Sequence, residues 1–124
     1  MTKTKDMIGK PLDWAVSIIE MRRRIAANEY VKAWAQANII AGVQCDPYSV
    51  DWLWAGEIIE REQISVLHRG FGPDNTWFAC YGDAGDEETL GYFGPTPLVA
   101  AMRAYVAHTL GDEIDIPDSL ENPQ

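Results

Sequence analysis

The residues best suited to chemistry lie between 48 and 62. The stretch "PYSVDWLWAGEIIERE", residues 47–62, places Tyr48, Ser49, Asp51, Trp52 and Trp54 in one short run, and Glu60, Arg61 and Glu62 follow. Flat aromatic faces can stack on a nucleobase, worth about 1–3 kcal/mol per base. A carboxylate such as Asp51 can accept hydrogen bonds from ribose hydroxyls, as acidic residues do in dinucleotide sites. Arg61 and Arg103 are cations that would pair with a phosphate, and Trp77 offers a further ring. In the "GPTP" turn, Thr96 opens a helix whose first N–H groups can face an anion, less the donor that Pro97 removes. The candidate ligand-binding set is therefore Tyr48, Ser49, Asp51, Trp52, Trp54, Arg61, Trp77, Thr96 and Arg103. A plainer alternative stays open: tryptophans supply large buried area, and Asp51 can simply cap a turn.

Catalytic signals are sparse. There is no GxSxG elbow, P-loop, GxGxxG or HExxH, and nothing in the sequence ties His68 or His108 to a nucleophile. Glu60 and Glu62 would share a face if they entered a strand, with Arg61 on the other, and could then hold a metal; a solvated strand edge is the plainer reading. Cys45 and Cys80 lack CxxC spacing and read as free, partly buried thiols. With His68 and His108 they are too scattered for a zinc site. No catalytic residue, metal or cofactor is therefore expected.

Helices open and close the chain. In "GKPLDWAVSIIEMRRR", Pro11 suits a first helical position and Leu12, Ala15, Val16 and Ile19 recur at helical spacing. Arg22, Arg23 and Arg24 read as a solvated helix end. "IAANEYVKAWAQANII" is a continuation or a second helix, stopped at Ala41-Gly42, with Asp46-Pro47 as a breaker. "QISVLHRG" alternates Ile64, Val66 and His68 against Ser65, Leu67 and Arg69. With "WFACYG" it forms an antiparallel hairpin across "FGPDNT", and "LGYFG" is a third strand fragment beyond the acidic "DAGDEET" connection. Thr96 is an N-cap, Pro97 the first helical residue and Gly111 the C-terminal cap of a last helix. Its stripe is Leu98, Met102, Tyr105, Val106 and Thr109. The order predicts an α+β fold in a single domain, residues 1–124, with an extended acidic tail over 112–124.

Composition limits the partners. The chain has 124 residues and a net charge of −9, with +3 over residues 1–40 and −12 over residues 41–124. So acidic a chain repels a phosphate backbone, so no nucleic-acid partner is expected. No run of 18 apolar residues predicts a membrane span, and "MTKTKDMIGK" lacks the apolar core of a signal peptide. A cytosolic protein is expected. The Ala-rich helices could form a homo-oligomer seam, and the acidic surface with its aromatics could block a basic host protein.

Three blocks resemble the NinX-like family of small tailed-phage and prophage proteins, a domain class without an assigned activity. They are "LDWAV" at 12–16, then Tyr48-Ser49 with Asp51-Trp52 and Ile58-Ile59-Glu60-Arg61-Glu62, and "GPTPLVAAMRAYVAHTLGDEIDIP" at 94–117. The family pattern in the second block resembles Tyr-Ser-Pro-Ser-Thr-Asp-Trp followed by Gly-Gly-Pro-Ile-Ile-Glu-Arg-Glu. Here Val50 directly precedes Asp51, and Glu57 stands where a glycine or proline is usual. The resemblance covers residues 9–20 and 46–120, leaving 21–45 without a counterpart. It implies a phage or prophage origin and action in the host bacterial cytoplasm, and it supplies no catalytic residues. Together these features favour an accessory protein that binds and sequesters a small nucleotide-like ligand, by analogy a host defence signal. An acidic inhibitor of a host protein is the second reading, and a nucleotide hydrolase the third.

Overall fold

The computed structural model describes residues 2–68, 77–81, 91–117 and 120. The "FGPDNT" turn, the "DAGDEET" connection, Arg69 and much of the end of the tail lie outside them. Along the chain run β1 (Thr2–Lys3), a 3-10 turn (Thr4–Asp6), α1 (Gly9–Ala26), α2 (Ala33–Ile40) and α3 (Trp52–Glu62). Then come β2 (Ile64–His68), β3 (Trp77–Tyr81), β4 (Gly91–Gly94), α4 (Pro97–Leu110) and β5 (Glu113–Ile114). The fold is α+β.

Helix α4 is the centre. Thr96 caps it as expected, its Oγ1 accepting from the Val99 N–H at 3.2 Å, with Pro97 in the first turn and Gly111 at its end. Burial is continuous from Leu98 to Val106, so the helix is enclosed on all sides instead of presenting one stripe; Thr109, placed on that stripe, is exposed. The small residues Ala100, Ala101 and Ala104 let neighbours approach closely. Around α4 pack α1, α3 and a three-stranded antiparallel sheet in the order β2-β3-β4. The hairpin register pairs Val66 with Ala79, and Ile64 and Val66 turn to the core as the alternation predicts.

Two details depart from the sequence reading. Helix α1 begins at Gly9, so Pro11 is the third helical residue. It is tolerated there because the first four N–H groups of a helix have no intrahelical acceptor. More consequentially, residues 52–62 form a helix where a turn and strand entry were expected. Asp51 caps it and Gln63 ends it in a left-handed conformation, φ 55°. On a helix Glu60 and Glu62 point apart, which removes the shared face assumed for them. Residues 33–40 form a separate helix that stops at Ala41-Gly42 as expected.

The two ends of the chain are stitched together. β1 pairs antiparallel with β5, Thr2 opposite Ile114. Thr4 is fully buried, donating its hydroxyl to the Gly111 carbonyl at 2.7 Å while its N–H reaches the Asp112 carbonyl at 2.7 Å. Residues 112–117 are thus part of the packed body, and Leu120 folds back against Gly42. No helix among the described residues is long and apolar enough to cross a membrane.

Gly94 permits a close approach between β4 and the first turn of α4. A Cβ there would lie 2.6 Å from the Ala100 backbone nitrogen and 3.1 Å from its Cα, atoms that cannot swing aside. Gly94→Ala is expected to lower stability by about 1–3 kcal/mol in urea titration, as overpacking does.

Candidate functional site

The site is built from the turn over residues 46–51 inward. Asp13 and Ser17 are four residues apart on α1 and so share a face. The Asp13 carboxylate accepts from the Ser49 N–H at 2.7 Å, and the Ser17 hydroxyl accepts from the Asp46 N–H at 3.3 Å. Burial pushes the Asp13 carboxyl above its usual pKa, and the Ser49 hydrogen bonds offset this in part. Asp51 then starts α3, its Oδ1 accepting from the Leu53 N–H at 2.9 Å. Tyr48 is buried beneath the turn and meets Trp54 edge to face, ring centroids 5.9 Å apart at 73°.

Arg61 anchors the other end of α3. Its two terminal nitrogens meet both oxygens of Glu20 on α1 at 3.1 and 3.0 Å, and one also donates to the Tyr105 hydroxyl of α4 at 2.9 Å. Tyr105 in turn donates to Glu20 at 2.7 Å, closing a triangle across three helices. Arg61 Nε donates to Glu62 at 3.1 Å, and Glu62 accepts from the Tyr81 hydroxyl at 3.3 Å. Tyr81 stacks on His108, centroids 3.9 Å apart. Burial works against the Arg61 charge, but its bonds to Glu20 and Glu62 outweigh it and raise its pKa above the ordinary arginine value.

Between α1 and α3 lies a cleft of about 410 Å³. Arg23, Arg24, Glu29 and Val31 line one wall; Leu53, Trp54, Glu57 and Arg61 line the other, with Tyr48 and Asp46 between. A volume of this size is within the range of small-molecule sites. Arg24 pairs with Glu29 at 3.2 Å, and Arg23 reaches Glu20 at 3.7 Å. Burial raises the Asp46 carboxyl above its usual range, opposed by the charge of Arg24.

Of the residues singled out from sequence, Tyr48, Trp54 and Arg61 meet at this cleft. Ser49 and Asp51 shape it from behind, as anchor and helix cap. Trp52 is exposed and is not among the lining residues. Trp77 lies on the sheet, edge-on to His68 at 4.8 Å. Thr96 is the cap of α4. Arg103 is buried on α4, its Nε donating to the Met7 carbonyl and its terminal nitrogen to that of Phe93, both at 2.7 Å. Burial lowers its pKa, opposed by Asp6. Sequence reasoning missed Glu20, Arg23, Arg24, Asp46 and Glu57. Only the Arg triplet carried a signal, and as a helix end it pointed to solvent. Cys45 is half-buried and Cys80 buried. The described residues contain no cluster of His, Cys, Asp and Glu able to hold a metal.

Two outcomes follow for the network. Glu20→Gln would leave Arg61 underpaired in a mostly buried setting, and about 2 kcal/mol of stability should disappear from the urea midpoint. The second concerns alkali. Burial, with nearby carboxylates, raises the phenols of Tyr48, Tyr81 and Tyr105 far above 10 and that of Tyr92 to about 12. The unfolded chain loses these protons near pH 10 while the folded protein keeps them. Stability is therefore complete below pH 10 and drains as the pH rises beyond it. Urea midpoints at pH 7, 8 and 11 should fall only across the last interval.

A family model described as Bacteriophage P22, NinX matches residues 3–109, a span that includes 21–45 and ends before the tail. No curated protein matches the chain. The match is consistent with a phage accessory protein, and the chain belongs to the bacteriophage P22 NinX family.

Proposed function

We propose that the cleft between α1 and α3 binds a small nucleotide-like ligand, and that the protein sequesters that ligand during infection. The observation that supports this best is the opposition of a ring wall to a guanidinium wall. Trp54, 41% exposed, is held at a fixed angle by Tyr48 and can stack on a base. Arg23 and Arg24 face it across a gap of suitable volume.

Availability separates the arginines. Arg24 and Glu29 are both more than half exposed, so their pair contributes no more than about 1 kcal/mol and a phosphate can displace it. Arg61, forked onto Glu20 and bonded to Tyr105, is the wall behind the ligand and not its phosphate partner. The carboxylates of Asp46 and Glu57 suit ribose hydroxyls, the part assigned from sequence to Asp51, whose oxygen already caps α3. Family membership supplies the phage setting; sequestration is the reading of the cleft.

Calorimetry with cyclic dinucleotides and ADP-ribose-type nucleotides, then denaturation and mass analysis of the released compound, tests this. At least one compound should bind at micromolar levels and be recovered intact. Trp54→Ala and Arg24→Ala should each weaken it about tenfold or more, the scale of one lost stack or charge-assisted hydrogen bond. No binding across the panel sinks the proposal, and a chemically altered product replaces it with hydrolysis.

A further inference from the structure

Helix α2 raises a separate question, since none of its eight residues is buried. A helix that short has little stability in water by itself, so an apolar one needs a packing partner. In the described chain it is held by Trp14, whose indole donates to the Ile40 carbonyl at 3.2 Å, and by Leu120 against Gly42. Its outer surface is nonetheless apolar: Trp34 and Ile40 are more than half exposed, and Tyr30 just before the helix is 80% exposed. A second apolar surface opens α3, where Leu53 is 81% exposed beside Trp52. Most of the exposed large hydrophobic residues in the described chain fall between 25 and 54. On a soluble monomer such residues are normally scattered singly.

The charges around these two surfaces are opposite. Exposed Arg22 and Lys32 flank the first in the chain, with Arg23 and Arg24 beside them paired to Glu20 and Glu29. Exposed Glu57 and Glu60 flank the second, and its only cation, Arg61, is neutralised by Glu20 and Glu62. An apolar-basic surface and an apolar-acidic surface on one molecule are complementary between two copies. Each copy offers both, so a two-fold axis would satisfy both contacts at once. The three exposed aromatics Tyr30, Trp34 and Trp52 alone offer on the order of 400 Å² per copy. A standard interface buries about 800 Å² per partner.

We propose that the protein is a two-fold dimer in which the α1 end and α2 of one copy dock on the start of α3 of the other. Leu53 of the second surface also lines the cleft, so the seam runs beside it. Dimer formation needs no ligand and stands or falls apart from ligand binding.

Sedimentation or light scattering of the full chain at 10–100 µM, estimates set by ordinary affinities, should give twice the chain mass. Trp34→Glu and Leu53→Glu should each give a monomer with an unchanged far-ultraviolet spectrum. Reversing charge with Arg22→Glu and Lys32→Glu should weaken the dimer about tenfold. Adding Glu57→Lys and Glu60→Lys to that chain should restore it. A monomer at every concentration overturns the proposal and assigns the surfaces to a different protein. So does a dimer that survives both apolar substitutions, or reversed charges that fail to rescue.

Discussion

The structure turns on one guanidinium. Arg61 ties the C-terminal end of α3 to the body through its bonds to Glu20 on α1 and Tyr105 on α4. Both sides of the Arg61–Glu20 pair are more than three-quarters buried, a setting where desolvation is costly and half a pair is worse than none. The fork of two nitrogens onto two oxygens is what makes it favourable, since it satisfies both charges in a single plane. Tyr105 completes the geometry by donating to the carboxylate and accepting from the guanidinium. Remove any of the three and the other two each lose a hydrogen-bond partner in a mostly buried setting.

That constraint also sets the shape of the cleft. Arg61 fixes the C-terminal end of α3, while Asp51 and the Asp13–Ser49 bond fix the N-terminal end. The helix therefore stands beside α1 as a rigid wall. The wall opposite is different in kind: beyond Met21 the last turns of α1 are exposed, Arg24 pairs with the exposed Glu29, and Arg23 reaches Glu20 only at 3.7 Å. One side holds its shape and the other offers loosely engaged cations, a division suited to receiving a ligand without first breaking the core.

Much of the architecture was legible in the residue order. The α4 caps, the three strands and the end of α2 follow from Thr96-Pro97, Gly111, the Ile64/Val66 alternation and the Ala41-Gly42 stop, whereas the break between α1 and α2 carried no deciding signal. Helix α3 was not, because "WLWAGEIIERE" joins β-forming aromatics and isoleucines with a glycine. Its helicity comes from the Asp51 cap and from burial of Ala55 and Ile58 against the core. The site was half legible for a related reason. Tyr48, Trp54 and Arg61 lie close in sequence, whereas Glu20 and Tyr105 come from 41 positions before and 44 after Arg61, and no local pattern announces that meeting. Arg103 reads as a free cation until burial shows its donors spent on two backbone carbonyls.

The pairing of β1 with β5 has a consequence for how the chain is made. Thr2 and Thr4 find their partners only at Ile114, Gly111 and Asp112, so β1 waits for residues made more than a hundred positions later. Helix α1 has the same difficulty, since much of its apolar face is covered by α4. At ordinary synthesis rates that delay is roughly 5–20 s, during which Leu12, Val16 and Ile19 have no native cover. Folding of this region therefore waits until α4 emerges, and a chain truncated before residue 97 has no centre around which to form.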